Sequence, residues 1–99
     1  MDIDLICCNA GIARDDDGLA SEEHWANIWK TNVLQHPNIV RNSISNMVLK
    51  KNGWYLITAS AAGLLSQVGS ATYSTTKHAT VGFAEWLCIT YGDCGIGVS

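Results

Sequence analysis

The chain has 99 residues, 47% hydrophobic and 15% charged, which describes one small globular domain and excludes a disordered chain. Its formal charge is -3 and its six Lys and Arg are scattered, which argues against a nucleic-acid surface or a polybasic membrane patch. No apolar run approaches the ~20 residues of a membrane-spanning helix, and Met1-Asp2-Ile3-Asp4 lacks the basic flank of a secretion signal, so the expected address is cytoplasmic.

In chain order, Asp4 to Cys8 is a short apolar run that ends at Asn9-Ala10-Gly11, a turn signal. It reads as a strand buried on both faces of a parallel sheet. Ala13 to Ala20 reads as a loop, and its Asp15-Asp16-Asp17-Gly18 as solvated, because no further ligands follow at calcium-loop spacing. Ser21 is a good helix N-cap, with Glu22 and Glu23 in the favourable first turn. Trp25, Ile28, Trp29 and Val33, then Val40, Ile44, Met47 and Val48, recur at helical spacing. They predict one long helix from about Ser21 to about Lys50, bent at Pro37 and stopped by Lys50-Lys51-Asn52-Gly53. Trp54 to Ala59 is a second buried strand, with Ser60 just past its end. Ala61 to Ser70 is a small-residue loop. A helix starts at Thr72 or Tyr73, runs to about Tyr91 and closes at Gly92; Ile96-Gly97-Val98-Ser99 opens a third strand.

The order β-α-β-α-β implies a parallel sheet with right-handed crossovers. Strands added in one direction place both helices on one face. Leu5, Ile6, Leu56 and Ile57 nevertheless read as strands that expect cover on both sides, which points to a part of a larger domain. Four cysteines, Cys7, Cys8, Cys88 and Cys94, show neither C-x-x-C spacing nor a histidine at ligand spacing. They read as buried thiols acting as small hydrophobes, and no metal is expected.

Tyr73 and Lys77 are i and i+4 and share a helix face. An ammonium held beside a phenol favours the phenolate, and a free tyrosine, titrating near ~10, is otherwise a poor acid/base at neutral pH. Ser60, thirteen positions before Tyr73, sits at a strand end, where ligands of α/β sheets bind, and can donate to a substrate oxygen. These groups suit reversible proton transfer at a carbonyl or carbinol. Asn32 lies mid-helix, where asparagine has poor propensity, so it serves either a function or a cap at a helix break. Ser66, Ser70 and Ser74 read as loop or helix-face residues, and His78 as packed or solvated.

Four features, in order, resemble the short-chain dehydrogenase/reductase family. Asn9-Ala10-Gly11 resembles its N-A-G motif, Thr31-Asn32-Val33 its asparagine segment, and Thr58-Ala59-Ser60-Ala61-Ala62-Gly63 its serine motif. Tyr73 to Lys77 is similar to its Y-x-x-x-K helix, and Gly95-Ile96-Gly97-Val98 to its sixth strand. The resemblance covers essentially the whole chain. It implies a partial Rossmann-type fold over residues 1–99, from the fourth to the sixth strand, lacking the N-terminal nucleotide-binding β-α-β unit with its T-G-x-x-x-G-x-G turn.

The resemblance also implies an NAD- or NADP-dependent oxidoreductase that interconverts a secondary alcohol and a ketone. Tyr73 would be the acid/base, Ser60 would orient the substrate oxygen, and Lys77 would tune Tyr73 and bond the nicotinamide ribose. Asn32 would help hold a water near the lysine. Asn9, Ala10 and Gly11 would support the cofactor side, Asn9 by bracing neighbouring strands. Leu64, Leu65 and Val68 would wall a substrate pocket, although loop packing accounts for them equally well. Val81, Phe83 and Trp86, with Trp25 and Trp29, fit a homo-oligomer formed through the two long helices, or ordinary core packing. A competing expectation is a truncated, inactive remnant, at most a helix-mediated interaction module, because the phosphate-binding turn is absent.

Overall fold

The computed structural model describes residues 2–60, 63–66 and 68–99. Met1, and Ala61, Ala62 and Gln67 of the expected loop and serine motif, lie outside the described residues.

Strand β1 (Leu5–Cys8) pairs in parallel with β2 (Gly53–Ile57), which pairs in parallel with β3 (Ile96–Val98), in the order β1-β2-β3. The register sets Ile6 beside Tyr55, Cys8 beside Ile57, and Tyr55 beside Val98. Side chains alternate across a strand, so these residues share one face. Cys8, Tyr55, Ile57 and Ile96 there meet Val40 and Met47 of the first long helix and Leu87 of the second. Full burial of each large apolar side chain is worth about 1.5–3 kcal/mol. The Tyr55 hydroxyl stays satisfied inside this core by Ser43 Oγ at 2.6 Å. Leu5, Cys7, Trp54 and Leu56 point the other way and are exposed. Among the described residues cover on both sides is therefore not met, and the core helix residues pack on one face.

The first long helix comprises α1 (Glu22–Trp29), a wide π turn (Lys30–Leu34) and α2 (Gln35–Leu49). Ser21 caps it as expected, its Oγ accepting the His24 N–H at 3.1 Å. The irregularity falls before Pro37, not at it. Proline has no N–H to donate, and its ring crowds the carbonyl four residues back, here Val33, so the disturbance lands inside the preceding turn. The stop also differs in detail: Lys51 takes the left-handed conformation (φ 53°), while Gly53 opens β2. A Cβ at Gly53 would lie 2.4 Å from Met47 Sδ, so close packing is what calls for glycine there.

Helix α3 (Ala71–Tyr91) is followed by a short 3-10 turn (Gly92–Cys94). His78 is exposed and its ring pairs with the Ser74 carbonyl one turn back. Ser70 precedes α3 and Ser74 lies on it, as expected of loop or helix-face residues, and both are buried. Of the cysteines only Cys8 is buried; Cys7 and Cys88 are exposed, and all four are free. Cys7 follows from the uncovered sheet face and Cys88 from the outer side of α3. No described helix is long and apolar enough to cross a membrane.

Candidate active site

The C-terminal ends of β1 and β2 lie side by side, joined by a Thr58 N–H bond to the Cys8 carbonyl at 3.0 Å. Just beyond, Thr58 Oγ1 donates to Asn9 Oδ1 at 2.8 Å, so Asn9 bridges the two strand ends. The chain then turns at Ser60, whose carbonyl accepts the Gly63 N–H at 2.8 Å. Ser60 is partly buried. Gly63 rests on α3: a Cβ there would stand 2.7 Å from Val81 Cγ2 and 3.0 Å from the Lys77 carbonyl.

Tyr73 and Lys77 occupy successive turns of α3, on the side that meets these strand ends. Lys77 is only 5% exposed. Its Nζ lies 5.5 Å from the centroid of the half-buried Tyr73 ring and 3.5 Å from the Thr58 carbonyl. No described carboxylate pairs with it. Gly11 faces the same ammonium: a Cβ there would be 3.3 Å from Lys77 Nζ and 3.6 Å from Asn32 Oδ1. Ala10 is exposed, and its carbonyl accepts a bond from Gln35 Nε2.

Asn32 stands in the π turn, fully buried. Its Oδ1 accepts the Ile12 N–H at 2.8 Å, and its Nδ2 donates to the Ile12 carbonyl at 2.8 Å and to Thr76 Oγ1 at 3.0 Å. The amide thus clamps the segment after β1 to α3. Its carbonyl, within the wide turn, accepts from Thr80 Oγ1 at 3.1 Å. Helical geometry leaves asparagine no local advantage, and these long-range bonds are what hold it there.

Asn9, Gly11, Asn32, Tyr73 and Lys77 are thereby brought together around the strand ends, with Ser60 at the turn beside them. Leu64, Leu65 and Val68 are exposed. Sequence reasoning missed Asp16. It is not solvated: its carboxylate is 7% exposed and contacts His24 Nε2 at 2.7 Å, the Thr72 N–H at 3.0 Å and the Thr72 hydroxyl. It also missed Thr76 and Thr80, whose hydroxyls meet Asn32. A run of threonines on the buried side of a helix was the available signal.

A phenol, a buried ammonium and a hydroxyl-bearing turn beside strand ends can hold a substrate oxygen and exchange a proton with it. The short-chain dehydrogenase family model matches residues 1–99. The chain belongs to the short-chain dehydrogenase family. A 3-oxoacyl-[acyl-carrier-protein] reductase of Chlamydia trachomatis is 32% identical over 98 residues, 98% of this chain and 40% of its own length. Among solved structures, LigO of Sphingobium sp. strain SYK-6, in its apo form, superimposes with a TM-score of 0.93 at 31% identity, over 99% of this chain and 37% of that one. ElxO with NADP bound gives a TM-score of 0.88 at 26% identity, over 94% and 38%. The fold is thus the partial Rossmann-type sheet of this family, and the chain spans less than half the length of these relatives.

Proposed function

We propose that this chain is the proton-transfer part of an NAD- or NADP-dependent oxidoreductase that interconverts a secondary alcohol and a ketone. The observation that carries the reading is the convergence of the Tyr73 ring, the buried Lys77 ammonium and Gly11 at the strand ends. Tyr73 gives its hydroxyl proton to the carbonyl oxygen in reduction and takes it back in oxidation. Ser60 donates to the same oxygen and holds it near Tyr73. Lys77 sets its charge 5.5 Å from the centre of the Tyr73 ring, where it offsets the negative charge that develops on the phenol oxygen during transfer.

A buried ammonium without a described carboxylate fits the hydroxyl oxygens of a nicotinamide ribose, which supports Lys77 as a cofactor contact. When bound, the cofactor supplies or accepts the hydride at the carbonyl carbon. Asn9, Ala10 and Gly11 shape that side of the site, and Leu64, Leu65 and Val68 are free to wall an apolar substrate. Asn32 holds the segment after β1 beside Lys77. Similarity to a 3-oxoacyl-[acyl-carrier-protein] reductase makes a 3-oxoacyl thioester the first substrate to try. Exposed Trp29 and Trp86 support a homo-oligomer formed through the long helices.

The 99 residues contain no T-G-x-x-x-G-x-G turn. Titration of the chain alone with NADH or NADPH should therefore show weak binding, and saturation at micromolar cofactor would contradict this. Turnover is best followed by reduced-nicotinamide absorbance after supplying the chain with a glycine-rich N-terminal segment from a 3-oxoacyl reductase. In that form Tyr73→Phe should lower kcat by about 10²–10⁴-fold, the usual worth of a positioned acid/base. Equal rates with and without the hydroxyl would defeat the proposal.

A further inference from the structure

From the loop after β1, Asp16 reaches the first turn of α3 across 56 residues of sequence. Its neighbours behave differently: Asp15 is exposed, and Asp17 Oδ1 accepts the Leu19 N–H within its own turn. The formal N-cap of α3, Ser70, makes no capping bond with its side chain. Its hydroxyl instead donates to the Arg14 carbonyl at 2.7 Å. The Asp16 N–H bonds the Gly69 carbonyl at 2.8 Å, so the loop and the segment leading into α3 run as a small parallel bridge.

The capping duty thereby passes to a carboxylate from elsewhere in the chain. Asp16 Oδ1 accepts the Thr72 N–H, an otherwise orphan donor of the first turn. Asp16 Oδ2 accepts the Thr72 hydroxyl and pairs with His24 Nε2 of α1. A negative charge at this helix end also meets the favourable end of the helix dipole. Two helices thus converge on one loop carboxylate, and the residue it immobilises precedes Tyr73.

We infer that Asp16, with His24 and Thr72, forms a positioning cluster for Tyr73, fixing the first turn of α3 so that the phenol ring stays over Lys77. This rests on the proposed role of Tyr73. The physical need is concrete. First turns of helices fray when their donors are unpaired, and the direction of the Tyr73 Cα–Cβ bond follows the backbone of Thr72 and Tyr73. None of the three residues touches the reacting atoms; they act through Tyr73.

The test uses the isotopically labelled 99-residue chain and reads proton cross-relaxation between the Tyr73 ring and the Lys77 side chain. In the unsubstituted chain the cross-peak should be present. Asp16→Ala should abolish it, and Thr72→Val, which keeps the Thr72 N–H bond, should weaken it, while the contact between the Phe83 and Trp86 rings persists, which a general loss of stability in a still folded chain would not do. Should Asp16→Ala unfold the chain, Thr72→Val and His24→Ala, which each free the carboxylate from one of its side-chain partners, should both weaken the cross-peak. An unchanged Tyr73–Lys77 cross-peak in the folded variants, or its absence from the unsubstituted chain, overturns the inference. Failure of turnover with this signature intact would condemn the proposed function alone.

Discussion

His36 places a titratable ring inside the contact between α2 and α3, stacked on Phe83 with 6.4 Å between ring centroids. Among the described residues its Nδ1 makes no hydrogen bond of full geometry. Burial holds its pKa below the usual 6.5, the Lys77 charge adds to the effect, and the Asn32 carbonyl opposes it. The folded chain therefore binds this proton less readily than the unfolded chain. The stability linked to His36 is complete above pH 6.5 and falls away as the pH drops below it. Urea midpoints measured from pH 8 to pH 5 should decline, and His36→Leu should flatten the decline; an unchanged slope would refute the assignment. Asp16 acts lower on the scale. Desolvation alone would raise its pKa, but bonds from Thr72 and His24 outweigh it and hold the carboxyl at about 2. Its contribution is present above 3.8 and lost as the pH falls toward 2, so Asp16→Asn should remove the acid transition in that window.

Among the elements, β2 and β3 meet most tightly where Trp54 lies over Gly97. A Cβ at Gly97 would stand 2.1 Å from the indole ring. Gly97→Ala should cost about 1–3 kcal/mol by overpacking, read from chemical denaturation, and the cost should shrink when Trp54 is also replaced by Ala. An additive double variant would show that the indole is not the obstacle. The strands and both long helices were legible in the sequence because the short apolar runs Asp4 to Cys8 and Trp54 to Ala59, and helical spacing in Trp25, Ile28, Val40 and Met47, are local signals. Tyr73, Lys77 and Ser60 were legible as a set through their order and spacing. Asp16 was not, since a contact over 56 residues leaves no mark on an acidic loop that looks solvated. The wide turn was partly hidden: Thr31-Asn32-Val33 are weak helix formers, but Pro37 drew attention to the wrong turn. Asn32 gave a partial signal, its poor helix propensity, without revealing Ile12 and Thr76 as its partners.

For the molecule as a whole, the uncovered sheet face is the dominant liability. Leu5 is 54% exposed, Trp54 48% and Leu56 43%, and they stand together on adjacent strands. Contiguous apolar surface of this kind drives association. Light scattering should show the mass of the chain rising with concentration, and Leu56→Lys should reduce the rise without unfolding the chain; an unaffected rise would place the contact elsewhere. The wide turn at Lys30–Leu34 has a further consequence for how one helix serves two neighbours. Each α-helical residue turns the side-chain direction by about 100°. Carrying extra residues in one turn offsets the stripe of α2 from that of α1. His24 thereby aims at the first turn of α3 while Val40 and Met47 aim at the sheet. The turn is an angular gear between the site and the core. Forcing Lys30–Leu34 into regular helix at unchanged length would swing one half out of mesh by about 100°.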